Sequence, residues 1–166
     1  MRLRLPIFAT LALAAAVGRG QTYADFHHFG NDTDGQNPTA GVGLDNKGNM
    51  YGTTQGGGLY GGGVVWEITQ AGVYRELHNL GRGTDGDQPW WGVTLDVAGN
   101  LYGTADLGGA NANGGGGYGM AWEITKAGAY KDLHDLGSGS DGTLPIGEVT
   151  LDSAGDLYGT TSERGL

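Results

Sequence analysis

The sequence predicts an all-β protein: a partial β-propeller of four-stranded antiparallel blades, about two complete blades plus incomplete flanking blades. Three observations lead there. Glycine supplies 36 of 166 residues, about three times its usual share of roughly 7%. Each glycine inside a helix costs about 1 kcal/mol, so this density disfavours long helices. After the N-terminal leader, no window of ten residues shows a 3.6-residue apolar period. Finally, a set of motifs recurs at spacings of 51 and 56 residues, in the range of propellers and repeat arrays.

The chain opens on a leader. Arg2 and Arg4 supply positive charge, and Leu5 to Val17 is apolar apart from Thr10. Ala16 and Gly18 then form an Ala-x-Gly cleavage pattern. Residues 1–20 therefore read as a secretory signal peptide, and 21–166 as the repeat domain. The apolar run has 13 residues, too few to span a bilayer, so no transmembrane segment is expected in the mature chain. The expected location is secreted or extracellular, with the cell surface and the periplasm as alternatives. There is no cysteine, so no disulfide stabilises the exported product.

The repeat is read strand by strand. Its first strand is Val42 to Leu44, with copies at Val93 to Leu95 and Val149 to Leu151, where apolar and small residues alternate. Asp45-Asn46-Lys47-Gly48 then makes a turn. The aspartate accepts backbone N–H bonds and the glycine takes a positive φ. Asp96 and Asp152 align with Asp45, and the third copy carries one extra residue near its start. The second strand is Met50 to Thr54, repeated at Leu101 to Ala105 and Leu157 to Thr161. Gly52, Gly103 and Gly159 within it imply close backbone approach or a bulge.

A glycine-rich link follows, five residues longer in the second copy, as expected of a surface loop. The third strand is Val64 to Thr69, with Val64, Trp66 and Ile68 on one face and Glu67 on the other. Met120, Trp122, Ile124 and Glu123 repeat that pattern. The fourth strand is Val73 to Leu80, then Ala129 to Leu136. Thr22 to Phe29 supplies a lone fourth strand at the start. The tally is 11 strands, whereas closed propellers have 4 to 8 four-stranded blades. The expectation is a partial ring: a truncated reading frame, which is favoured, a fragment, or a protomer that closes by assembly through its open blade edges.

These motifs resemble an exported tandem-repeat family of bacteria, the GloVer-type repeat. Its turn is matched by Asp34-Gly35-Gln36-Asn37-Pro38, Asp85-Gly86-Asp87-Gln88-Pro89 and Asp141-Gly142-Thr143-Leu144-Pro145. Its hairpin is matched by Asp45 to Thr54, Asp96 to Ala105 and Asp152 to Thr161. Its aromatic strand is matched by Trp66 to Thr69 and Trp122 to Thr125. The resemblance covers residues 22–161. It implies a β-propeller-like extracellular or surface protein with no common activity, so no catalytic residue carries over. The chain departs from the family in its few repeats and in lacking a visible C-terminal anchor.

Charge narrows the functional classes. Asp and Glu outnumber Lys and Arg by 18 to 9, for a net charge of −9. Losing Arg2, Arg4 and Arg19 with the leader would take it to −12. Such a field repels phosphate backbones, so nucleic acid is not an expected partner. The acidic turns make Asp32, Asp34, Asp85 and Asp87 candidate calcium ligands, although Asx hydrogen bonds explain the repeated aspartates without metal. His27, His78 and His134 recur at equivalent positions and read as a repeated structural hydrogen bond. Glu67 with Glu123, and Asp25 with Glu76 and Asp132, repeat with the scaffold, unlike a catalytic pair. Trp90 and Trp91 have no counterparts in the other copies. They are candidate ligand contacts, because an exposed indole stacks on a sugar ring or a partner side chain. The reading is a noncatalytic extracellular scaffold or interaction protein. The alternative is a carbohydrate-binding or polysaccharide-acting one, with a protein or glycan partner.

Overall fold

The computed structural model describes residues 23–30, 33–111 and 116–163. The expected signal peptide, residues 1–20, lies outside them. Among the described residues there are twelve strands, no helix, and several antiparallel sheets. No helix there is long and apolar enough to cross a membrane.

The first sheet is a meander of β1 (Gly43–Leu44), β2 (Met50–Thr54), β3 (Val64–Ile68) and β4 (Tyr74–Asn79), in that spatial order. A short β5 (Gly86–Asp87) leads to the second sheet. There β6 (Thr94–Leu95), β7 (Leu101–Ala105), β9 (Met120–Ile124) and β10 (Tyr130–Asp135) repeat the meander, while β8 (Leu107–Gly108) pairs with β5. The last sheet has two strands, β11 (Thr143–Leu151) and β12 (Leu157–Glu163). The expected second strands match β2 and β7, and the extra residue of the third copy is absorbed as a register shift between Ile146 and Thr150.

Two expectations are corrected. Thr22 to Phe29 is expected as a lone fourth strand, but its described residues, 23–29, form no strand. A fourth strand bonds only to a third, and no third strand adjoins this segment among the described residues. Phe29 instead packs on Trp66, ring centroids 5.3 Å apart. The tally of 11 strands also becomes twelve among the described residues: the lone fourth strand is lost, and the Asp85-Gly86-Asp87 turn and the second glycine link contribute β5 and β8.

The Asp-x-x-Gly turn forms for the expected reason. Asp45 Oδ1 accepts the N–H groups of Lys47 and Asn49, both at 2.9 Å, while Gly48 sits at φ 84°. Asp96 and Asp152 accept from Asn100 and Asp156 in the same way. The strand glycines have a different cause from the expected backbone approach. A Cβ on Gly52 would fall inside the Trp66 ring, and one on Gly103 inside the Trp122 ring. The register places Gly52 opposite Trp66 and Gly103 opposite Trp122. Each glycine is the bed of an indole.

Alternation along β3 then feeds two cores. Val64, Trp66 and Ile68 pack with Phe29, Met50 and Tyr74. Val65 points the other way, into a cluster with Leu80, Val93, Leu101, Ala105, Met120, Trp122 and Ile124. That cluster joins the first sheet to the second. Trp122 is fully buried, and an indole of this kind contributes about 4–6 kcal/mol of apolar burial. All of β3 is buried, so its two faces are both interior. This explains why Glu67, expected to face away from the core, is nevertheless mostly covered.

Candidate functional site

The antiparallel course puts the Asp-x-x-Gly turns and the turns between third and fourth strands at one end of each four-stranded sheet. Gln70 N–H bonds Asn49 Oδ1 at 2.8 Å, and Lys126 N–H bonds Asn100 Oδ1 at 2.8 Å, tying the two turns together in each. The glycine links and Asp-Gly turns lie at the opposite end.

At the first end a cleft of about 700 Å³ opens between the first two sheets. Asp45, Tyr51, Glu67 and Arg75 line one wall, and Asp96, Val97 and Lys126 line the other. Its carboxylates are engaged. Glu67 Oε1 accepts the Tyr51 hydroxyl at 3.2 Å and its Oε2 pairs with Arg75 at 3.1 Å. In the second unit Lys131 pairs with Glu123 at 2.9 Å. Burial and the nearby Glu67 and Asp45 charges push the Tyr51 hydroxyl up to about 12. Burial alone would raise the Asp45 and Asp96 carboxyls. The hydrogen bonds they accept outweigh it and hold both below the usual carboxylate range. A general acid needs the opposite shift, so these two carboxylates are poor proton donors and good turn anchors.

At the other end each recurrent histidine meets the aspartate seven residues on. The pairs are His27–Asp34 at 3.0 Å, His78–Asp85 at 2.8 Å and His134–Asp141 at 3.1 Å. On the first two histidines a tyrosine of the following unit lies flat on the ring. Tyr74 stacks on His27 at 4.0 Å and Tyr130 on His78 at 3.9 Å. The Tyr74 hydroxyl also donates to the Asp34 carbonyl at 2.8 Å. Burial raises both hydroxyls well above the ordinary tyrosine range, with nearby carboxylates adding to it. The expected structural hydrogen bond is present, and it serves as a joint between successive units. The tyrosines were missed, although Tyr23, Tyr74 and Tyr130 align in the repeat. Arg75 and Lys131, eight residues after Glu67 and Glu123, were a second missed signal.

The candidate calcium ligands are used or apart. Asp34 and Asp85 hold their histidines, Asp87 lies on β5, and Asp32 is outside the described residues. Among the described residues no three His, Cys, Asp or Glu gather to hold a metal. Two aspartates are raised, Asp106 by burial alone and Asp132 by more than burial. Burial first, then the adjacent Asp135 carboxylate, raise Asp132. At the equivalent positions of the first unit, Asn79 donates to Glu76 at 3.0 Å.

The two tryptophans divide. Trp91 bridges units: its indole N–H donates to the Pro145 carbonyl at 3.0 Å, and its carbonyl accepts the Thr53 hydroxyl at 2.8 Å. The Pro89 carbonyl also accepts from Thr53, and the buried Thr104 hydroxyl of the next unit has no partner. Trp90 is 38% exposed. No family model matches the chain, and comparison with curated proteins finds no match.

Proposed function

We propose that the chain is a noncatalytic extracellular scaffold or interaction protein; the GloVer-type resemblance implies the extracellular or surface setting, and the repetition of the scaffold supports the rest. In this reading the two four-stranded sheets are blades of a partial β-propeller, and β11–β12 is the inner half of a third. The observation that carries it is the identical use of the recurrent polar side chains. His with Asp, Asp with its hairpin, and Glu with Arg or Lys do the same structural work in successive units. A catalytic pair departs from its scaffold, whereas these carboxylates repeat with it.

The partly exposed Trp90 favours a second reading, carbohydrate binding, because it breaks the repeat and an exposed indole can stack on a sugar ring. A glycan array combined with a turnover screen tests both. The scaffold reading expects no hydrolysis and no glycan retained. Binding that is lost in Trp90→Ala would establish the second reading, and turnover would overturn the first.

A further inference from the structure

We propose that the surface where the three units begin their first strands recognises an arginine side chain of a protein partner. Glu148 pairs with the guanidinium and Trp90 stacks on it. The inference rests on reading the chain as an interaction scaffold, and it names the chemistry of what that scaffold engages.

Contacts between all three units meet here. The Thr39 hydroxyl of the first unit donates to the Trp90 carbonyl of the second at 3.4 Å. Trp91 and Thr94 of the second donate to the Pro145 and Val149 carbonyls of the third. Glu148 of the third closes the set. Its carboxylate takes the space that a Cβ on Gly92 would fill, and a Cβ on Gly41 would meet its Oε1 at 3.8 Å. The same Gly92 position would meet the Gly41 carbonyl at 3.2 Å. Gly92 is two residues from Trp90, so their Cα atoms lie within about 7 Å of each other. Two features that break the repeat therefore share one place. Trp90 has no counterpart indole in the other copies, and Glu148 has no counterpart carboxylate. Both are exposed, and Ile146, two residues before Glu148, adds exposed apolar surface.

The negative charge here is unanswered within the chain. Among the described residues Glu148 makes no hydrogen bond and no ion pair, whereas Glu67 has Arg75 and Glu123 has Lys131. The other described cations lie elsewhere. Arg82 sits over the Tyr60 ring, and Lys47 and Lys126 line the cleft at the hairpin end. The cation for Glu148 therefore comes from outside, and a net charge of −9 attracts it. Among cationic side chains, arginine fits this pair of groups best. Its planar guanidinium bonds a carboxylate through two parallel N–H groups and also stacks on an aromatic face. Indole is the strongest cation–π partner. A neutral sugar stacks on the indole but leaves the carboxylate without a counter-charge.

The probe is a blocked peptide with one arginine between glycines, titrated into the chain and followed by the Gly92 amide resonance. A saturable shift in the millimolar range is expected. Citrulline in place of the arginine keeps the shape, removes the charge and should abolish the shift, and lysine should weaken binding. Glu148→Gln and Trp90→Ala should each weaken it about two- to fivefold. Glu148 is exposed and unbonded, so Glu148→Gln should melt unchanged and reads the site even where Trp90→Ala disturbs the fold. Asp156→Asn makes the same charge change at an exposed hairpin position where the first two copies carry Asn49 and Asn100. It should leave binding unchanged. A shift that does not saturate, a citrulline peptide that binds equally, or an equal loss in Asp156→Asn would overturn the inference, the last by reducing it to the overall negative field. These three outcomes leave the scaffold reading standing, which turnover overturns. A neutral glycan that displaces the peptide would also overturn the inference and assign the surface to carbohydrate.

Discussion

The strands β7 and β12 share the sequence Leu-Tyr-Gly-Thr, yet one lies in the interior and the other faces solvent. In β7, Leu101, Gly103, Thr104 and Ala105 are buried between β6 and β9. In β12 the residues from Tyr158 onward are exposed. Hairpin chemistry is the same in both, because Asp96 and Asp152 anchor their own turns. Local sequence therefore fixes the hairpin, and the neighbouring strand fixes burial. The difference is what one Trp-Glu-Ile-Thr strand contributes.

The sharpest way to break the comparison is to remove that contribution. Trp122→Ala should cost about 3–5 kcal/mol, the usual loss for truncating a buried aromatic, read by denaturant unfolding. Gly103→Ala pushes a methyl into the same indole and should cost about 1–3 kcal/mol. Gly159→Ala should stay within about 0.5 kcal/mol, as for an open surface site. A large loss at Gly159 would show that β12 is covered.

The joints give a second contrast. His78→Ala removes a hydrogen bond to a carboxylate and the stack on Tyr130, and should cost about 1.5–3 kcal/mol in the same measurement. His134→Ala, whose ring is uncovered, should cost less. Equal losses would mean that the stacking tyrosine is idle.

The smallest effect concerns acid. The carboxyls of Asp45 and Asp96 lie below their unfolded values in the folded chain. The stability they contribute is present above about pH 4, the ordinary aspartate range, and is lost as pH falls through the lower folded values. Acid titration of the melting temperature should show this loss, and Asp96→Asn should flatten it. A profile unchanged by that substitution would remove the turn anchor from the account.

Much of this was legible in sequence because the repeat supplied its own alignment. Comparing copies located β2, β7, β3 and β9 to within a residue, and showed the extra residue of the third copy, but the register shift that absorbs it is seen only in the fold. The histidines could be assigned to structure, but their partners could not. Asp85 lies seven residues from His78, whereas Tyr130 lies in the next unit, and only the packing of one sheet on another shows that they meet. The segment 23–30 misled for the same reason: strand propensity was present and the neighbour was not. Trp91 could be seen to break the repeat, but its bond to Pro145 needed the fold.

The histidine–tyrosine joint has a thermodynamic consequence. The ring belongs to one unit and its cover to the next, so the stretch that melts as one body is offset from the stretch that repeats. Stability then resembles a row of coupled cells, each marginal alone, with the coupling carried at the shared boundaries. Cutting the joint at His78 should leave most of each cell's internal contacts in place and weaken their agreement, so that one sharp unfolding transition broadens toward two.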